Sequence, residues 1–171
     1  MLKNAIYRSA GVLLIGLQSS PLLLAQSWTT PAKDRPATDL QPPVRILADG
    51  QEVCDEPVVL GAVANGRYFG GGMLIAPNAS PADGLLDLVI VRELSKATLL
   101  ASLPSLYRGT HLANPAVSVV RASRIEAHPS SPEAPPVWID VDGEGLGTLP
   151  LEIEVLPQRV TLFGAEELPR L

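Results

Sequence analysis

The sequence predicts a mainly β protein, an antiparallel β-sandwich with one inserted helix, at the border of the all-β and α+β classes. From Val44 onward, short apolar runs recur, and turn dipeptides such as Asp49-Gly50 and Asp142-Gly143 separate them. A single segment in this part of the chain has apolar residues at intervals of three and four, which is the helical period. Many short strands joined by hairpin turns, with one helix, are typical of such a sandwich.

Eight segments are predicted to be strands. The strongest signal is Leu85–Val91, a continuous run rich in apolar and β-branched residues. The clearest two-residue period is Leu151–Val155, in which apolar residues alternate with two glutamates, as expected of a strand with one buried face. The remaining predicted strands are Val44–Leu47, Pro57–Ala64, Val117–Val120, Arg124–Ala127, Val137–Asp142 and Arg159–Phe163.

The predicted helix is Ser95–Tyr107. Its leucines and Tyr107 recur at spacings of three and four and form one apolar stripe. Ser95 is a suitable N-cap, because its hydroxyl can accept a hydrogen bond from a backbone N–H of the first turn. Gly109 is a suitable stop, since glycine adopts the left-handed conformation that ends many helices. We expect Pro104 to kink or shorten the helix, because proline lacks the N–H and clashes with the preceding turn.

Composition excludes several classes of protein. The chain has 171 residues, of which 46% are hydrophobic, so it is not disordered throughout. Its single cysteine, Cys54, excludes an intramolecular disulfide framework. A net charge of −5 argues against a nucleic-acid partner, which needs clustered Lys and Arg. Neither His111 nor His128 has a partner at metal-ligand spacing, and we expect both at the surface.

Prolines, 17 in all, divide the chain. Residues 26–43 are rich in Pro, Thr, Asp and Gln and are predicted to be a linker or exposed loop. Residues 44–165 are the predicted β-sandwich domain, and residues 166–171 are a tail. Residues 1–25 are an apolar segment with two interpretations. The segment is either a secretory leader, as the basic residues before its apolar stretch indicate, or a remnant helix from a domain whose remainder is missing.

Three ordered motifs carry a resemblance to a known family. They are VANGRYFGGGMLIAP at Val63–Pro77, NASPADGLLDL at Asn78–Leu88 and IDVDGEGL at Ile139–Leu146. Between the second and the third, the predicted helix ends in LYRGTHL. In this order the motifs resemble the C-terminal half of the bacterial diacylglycerol kinase and YegS-like lipid kinase family, within the superfamily that includes NAD kinase. The resemblance covers the chain from Val44 to Phe163.

The resemblance implies one half of a two-domain enzyme. In the family, an N-terminal α/β domain binds ATP through a GGDGT-type loop, and the C-terminal sandwich supplies catalytic groups. No GGDGT occurs in this sequence, so we expect the chain to lack the nucleotide-binding domain and to be inactive alone. The implied function is phosphoryl transfer from ATP to the hydroxyl of a diacylglycerol-like lipid. The implied partners are that lipid, a separate nucleotide-binding domain and the inner membrane surface, which the protein would reach from the cytoplasm.

The resemblance also assigns roles to particular residues. Glu144, in the DGE motif, would be the general base that accepts the proton of the lipid hydroxyl. Asp83 would hold Mg²⁺ together with the backbone carbonyls of Ser80 and Leu85, a set of hard oxygen ligands that suits this ion. Taken alone, the same motifs would be a solvated turn glutamate and an ordinary Asp-Gly turn. The predicted cofactor-binding loop consists of Asn65, Gly66, Arg67, Gly70, Gly71 and Gly72.

Three alternatives stay open in the sequence. The glycine run could bind phosphate through its backbone N–H groups, or it could be a strand crossover that needs positive φ. Asp140 and Asp142, near Glu144, could form a metal site or a solvated edge. The chain could also be a non-catalytic lipid- or partner-binding sandwich, secreted if residues 1–25 are a leader.

Overall fold

The computed structural model describes residues 12–15 and 42–156. These residues contain nine strands, one α-helix and a short 3₁₀ helix at Thr110–Ala113. The α-helix, α1, is Lys96–Arg108. Neither described helix is long and apolar enough to cross a membrane. The strands are β1 (Val12–Ile15), β2 (Pro43–Ala48), β3 (Gln51–Ala64), β4 (Leu86–Arg92), β5 (Val117–Ala122), β6 (Arg124–Pro129), β7 (Trp138–Val141), β8 (Glu144–Thr148) and β9 (Leu151–Glu154).

The strand pairs of the described chain are all antiparallel, and they form two sheets that share β3. The first sheet has the order β8-β7-β1-β3-β4-β5, and the second sheet has the order β3-β2-β6-β9. β3 has 14 residues. Its first half, up to Pro57, pairs with β2, and its second half, from Val58, pairs with β1 and β4. The prediction of an antiparallel sandwich with one inserted helix is confirmed.

The main hydrophobic core lies between the two sheets. Leu88 and Ile90 of β4 and Ile125 of β6 are fully buried in it. Successive side chains of a strand point to opposite faces, so every second residue enters the core. Leu151 and Ile153 of β9 also face this core, as their two-residue period predicts.

The outer face of the first sheet is covered as well. Asp87, Val89 and Val91 of β4 lie on this face, where a second apolar cluster forms between the sheet, α1 and the loop that follows β3. Because both faces of β4 are buried, its sequence is a continuous apolar run rather than an alternating one. This two-sided burial is the physical reason why Leu85–Val91 is the strongest strand signal in the chain.

α1 begins and ends where the sequence predicts. The Ser95 hydroxyl accepts a hydrogen bond from the Thr98 N–H at 3.2 Å, and Gly109 ends the helix in the left-handed conformation, with φ of 69°. Of the two effects expected of Pro104, shortening does not occur, because the helix continues through Pro104 to Arg108. The packing of α1 against the first sheet compensates for the hydrogen bond that Pro104 cannot donate.

The four described residues of the N-terminal segment form β1, which lies between β3 and β7. These residues are therefore in a strand, where we expected a remnant helix or a leader. The apolar sequence VLLI suits a strand with neighbours on both sides. The other residues of the segment, the predicted linker as far as residue 41, the predicted strand Arg159–Phe163 and the tail lie outside the described residues.

Candidate functional site

The predicted site residues converge on one end of the first sheet. Glu144 opposes Val141 across β8 and β7, and Val141 is linked through β1 to Val63, which precedes Ala64 at the end of β3. Ala64 opposes Asp87 of β4, which in turn opposes Arg121 of β5. At a strand spacing of about 4.8 Å, this row from β7 to β5 is about 19 Å long. Motifs that are distant in sequence therefore share one end of a sheet, spread along it rather than gathered at one point.

Glu144 stands at the tip of the β7–β8 hairpin. The turn residues Asp142 and Gly143 have φ values of 53° and 90°, and the Gly143 N–H donates to the Asp140 carboxylate at 2.8 Å. The Glu144 side chain is exposed, so a substrate hydroxyl can reach it while the hairpin backbone stays in place. Within residues 12–15 and 42–156, no group of three or more His, Cys, Asp or Glu side chains could hold a metal ion, so these carboxylates form no metal cluster there.

Ser80, Asp83 and Leu85 meet in the turn before β4. The Asp83 N–H donates to the Ser80 carbonyl at 3.4 Å, and the Leu85 N–H donates to the Asp83 carboxylate at 3.0 Å. The ligand atoms expected here are all oxygens, which suits Mg²⁺. The second oxygen of the Asp83 carboxylate accepts a hydrogen bond from the Arg121 guanidinium and forms an ion pair with it. The residues fit the ion chemically, but Mg²⁺ and Arg121 would compete for the same carboxylate.

Asp87 is a buried acid that the sequence analysis did not select. It is 1% exposed, one of its carboxylate oxygens lies 3.8 Å from the Arg121 Nε, and the other has no hydrogen-bond partner in the described part of the chain. Burial raises the pKa of the Asp87 carboxyl, while the Arg121 charge opposes this rise and Asp83 adds to it. Its signal in the sequence is a single acid inside the apolar run LLDLVIV. A buried carboxylate with a shifted pKa is typical of functional positions.

The glycine run forms a tight turn between Phe69 and Met73. These two residues exchange backbone hydrogen bonds of 3.0 and 3.1 Å. Gly70 and Gly72 have φ values of 39° and 89°, which few other residues adopt, and the Gly72 N–H donates to the Gly70 carbonyl. The positive φ values of this turn are sufficient to explain why glycines occur there, as in the interpretation of the run as a strand crossover. A phosphate-binding role for the run stays a prediction.

Asn65 and Arg67 follow β3 at the same end of the first sheet. The Asn65 Oδ1 is buried and has no hydrogen-bond partner among the described residues. The Arg67 Nε donates to the Ala79 carbonyl at 3.4 Å, and the residue is exposed. An unpartnered amide oxygen and an exposed guanidinium can contact polar groups of a ligand, so these two are the strongest candidates of the predicted cofactor-binding loop.

An apolar cavity of about 60 Å³ lies between the first sheet and α1. Its walls come from β3, β4, β5, α1 and the loop that follows β3, and most of its lining side chains are leucine, valine or phenylalanine. The polar side chains at its wall are those of Ser102, His111 and Asn114. Apolar walls with a few polar groups are typical of sites for small apolar molecules.

His111 lies at the wall of this cavity, and the prediction that it is a surface residue is wrong. It is 5% exposed, and its Nε2 lies 2.9 Å from the Ile75 carbonyl oxygen. Its Nδ1 has no hydrogen-bond partner in residues 42–156. Burial lowers the pKa of the imidazole, although the backbone groups of Ile75 and Ser105 oppose this. The 3₁₀ helix after α1 carries His111 inward, which no local pattern in the sequence indicates.

The cavity lies on the same face of the first sheet as Asp87. Asp87 and Val91 share the outer face of β4, and Val91 lines the cavity. The four residue steps between them span about 14 Å of extended strand. A long molecule with one polar end and an apolar remainder therefore matches this face in length and polarity.

This fold and these motifs match a known family. The family described as YegS C-terminal NAD kinase beta sandwich-like domain matches residues 37–164. The chain belongs to this family. A diacylglycerol kinase of Mycobacterium tuberculosis (strain ATCC 25618 / H37Rv) is 35% identical over 115 residues, which are 67% of this chain and 36% of that protein. The resemblance inferred from the three motifs is thereby confirmed.

Solved structures share the fold of this YegS-family domain. A candidate diacylglycerol kinase from Bacillus anthracis str. Sterne has a TM-score of 0.54 and 30% sequence identity, over 68% of this chain and 37% of that one. A second structure of such a protein from the same organism, at 22% identity, has a TM-score of 0.56 over 88% of this chain and 54% of that one, and shows the fold alone. The kinase names belong to longer proteins, of which this chain spans only a part.

Proposed function

We propose that this chain is the lipid-acceptor half of an ATP-dependent lipid kinase. The observation that carries the proposal is the apolar cavity beneath α1, on the same face of the first sheet as the buried Asp87 at the carboxylate end. A diacylglycerol-like lipid has the matching shape, because a polar end with a hydroxyl is joined to long apolar chains, and the cavity would receive part of one chain. The relatives named as diacylglycerol kinases support the same substrate class.

In this proposal Glu144 acts as the general base. The lipid hydroxyl oxygen attacks the γ-phosphorus of ATP, the bond between that phosphorus and the bridging oxygen of ADP breaks, and Glu144 takes the hydroxyl proton. The exposed position of Glu144 on a hairpin supports this role, because its carboxylate can approach a substrate that lies across the end of the sheet. ATP would be bound by a separate domain that carries the GGDGT-type loop.

Asp83, with the carbonyls of Ser80 and Leu85, would hold Mg²⁺ in the same proposal. When bound, the ion would balance negative charge near the acceptor end of the sheet. Arg121 already places a positive charge beside the same carboxylate, so this end of the sheet carries a cation with or without Mg²⁺. Asn65 and Arg67 would contact polar groups of the ligand.

The test supplies a partner domain and measures phosphoryl transfer. The purified chain is mixed with, or fused to, a nucleotide-binding domain that carries a GGDGT loop, and the transfer of labelled phosphate from ATP to diacylglycerol in mixed micelles is followed. We expect transfer when both domains are present and none with either domain alone. Glu144→Gln should lower the rate about 100-fold or more, as the loss of a general base does. Glu154→Gln, at an exposed position of β9 in the second sheet, is the matched control.

A full-length diacylglycerol kinase of the family serves as the positive control. If that enzyme transfers phosphate and no pairing of this chain does, the kinase proposal is contradicted. Lipid binding that also survives Glu144→Ala would then support the non-catalytic binding module.

A further inference from the structure

α1 is apolar on two faces. Leu99, Leu103 and Leu106 line the cavity against the first sheet. Leu100 and Tyr107, seven positions apart, are 48% and 56% exposed on the outer side. A helix that packs on a sheet normally has its apolar residues on the packed face and polar residues towards solvent, because removing apolar surface from water is favourable. Packing within the described chain explains the inner face of α1 and leaves the outer face unexplained.

α1 and residues 65–82 of the loop that follows β3 contain basic residues and no acidic ones. Residues 94–125 contain no Asp or Glu, although the chain has 18 acidic residues and a net charge of −5. Arg108, in the last turn of α1, is exposed and forms no ion pair with any described residue. Residues 65–82, in the loop that follows β3, also lack acidic residues and include Arg67. Neither of these two segments contributes an acidic side chain, so the exposed Arg108 can attract anions although the whole chain is acidic.

The loop that follows β3 is fixed against the end of α1. The Leu74 N–H donates to the Leu106 carbonyl at 3.0 Å, and a Cβ atom on Gly109 would lie 2.9 Å from the Leu74 Cδ2. In the same loop, Phe69 lines the cavity, and its neighbour Tyr68 is 61% exposed. This loop therefore packs against the C-terminal end of α1 and closes one side of the cavity.

We propose that this surface, which we call the α1 face, docks on a lipid bilayer with anionic headgroups. Leucine side chains of an interfacial helix insert into the headgroup region, and tyrosine keeps its hydroxyl in polar surroundings there. Arg108, which has no ion-pair partner among the described residues, would attract the anionic headgroups. The α1 face consists of Leu100, Pro104, Tyr107 and Arg108.

Shape and continuity favour a bilayer over a second protein as the occupant. A stable protein interface has a broad apolar centre, whereas the α1 face is one helical stripe with Arg108 beside it. The inner side of the same helix lines the cavity proposed for an acyl chain. A lipid would therefore pass from the bilayer into the cavity along α1. The inference rests on the proposed lipid substrate and names the surface through which that substrate is reached.

Vesicle sedimentation tests the α1 face without any kinase reaction. The full chain is incubated, without nucleotide, with vesicles of phosphatidylcholine alone or of phosphatidylcholine mixed with phosphatidylglycerol. We expect binding to the mixed vesicles, weaker binding to the neutral ones, and loss of this difference at high salt. The double change Leu100→Ser and Tyr107→Ser should lower the vesicle partition coefficient about tenfold. Arg108→Gln should lower it about fivefold.

Two control variants make matched changes outside the α1 face. Leu146 is 50% exposed in β8, and Arg45 is exposed in β2 of the second sheet. Leu146→Ser and Arg45→Gln should bind the mixed vesicles as the unchanged chain does. Circular dichroism checks that each variant is folded, so that a loss of binding is assigned to the altered surface.

Two results would overturn the proposal. The first is vesicle binding by the Leu100→Ser and Tyr107→Ser variant equal to that of the Leu146→Ser control. The second is a lack of binding to mixed vesicles by the unchanged chain. If the chain is then a dimer in analytical ultracentrifugation and Leu100→Ser dissociates it, a second copy is the occupant of the α1 face. Vesicle binding through the α1 face without phosphoryl transfer in the paired-domain assay would contradict only the proposed kinase function.

Discussion

The substitution Gly109→Ala tests how tightly the loop that follows β3 packs against α1. Gly109 ends α1 with φ of 69°, and a Cβ atom at this position would lie 2.9 Å from both the Leu74 Cδ2 and the Pro77 Cγ. Alanine would have to adopt the left-handed conformation, which costs about 1–2 kcal/mol, and to displace two side chains, for which overpacking costs about 1–3 kcal/mol. We therefore expect the free energy of unfolding to fall by about 2–5 kcal/mol.

Gly50→Ala separates the backbone contribution from the contact contribution. Gly50, in the turn between β2 and β3, has φ of 78°, and a Cβ atom there would meet nothing within 4 Å. This control should lose only the backbone part, about 1–2 kcal/mol. Urea denaturation followed by circular dichroism measures both losses, with an unchanged m-value as the sign that the unfolded state is the same. Equal losses at Gly109 and Gly50 would refute the tight packing of the loop against α1.

Ser95→Ala should lower the free energy of unfolding by about 1 kcal/mol in urea denaturation, because α1 loses its N-cap hydroxyl. The free energy of unfolding should also fall as the pH drops below about 6.5. The reason is that His111 becomes protonated near this pH in the unfolded chain but only at a lower pH in the folded chain, where its pKa is lowered. His111→Phe should reduce this fall between about pH 7.5 and 5.5, and an equal fall in both proteins would contradict the role of His111. Arg121→Gln should lower the free energy of unfolding by about 1–3 kcal/mol, because the buried Asp87 carboxylate loses the cation beside it. Added Mg²⁺ should raise the thermal unfolding temperature of Arg121→Gln more than that of the unchanged chain, because the variant has no guanidinium on the Asp83 carboxylate. An equal rise in both proteins would contradict the competition of Mg²⁺ and Arg121 for this carboxylate.

Local features of this chain were predictable because a few neighbouring residues determine them. Leu151 and Ile153 alternate with glutamates, and a two-residue period places them on the buried face of a strand. Ser95 and Gly109 enclose α1 because a cap depends on hydrogen bonds within one turn. The three motifs are local in the same sense, and they were sufficient to identify the family.

The sequence alone therefore determined seven of the nine described strands, the helix and its caps, and the family, whereas only the tertiary structure added β1 and β8 and decided which residues meet. Asp83 and Arg121 pair across 38 positions because β4 and β5 align in one register, and no local pattern encodes that register. His111 is buried, although we expected it at the surface, because α1 and the loop that follows β3 cover the first sheet. Caps and periods depend on adjacent residues, but strand register and burial depend on the free energy of the whole fold.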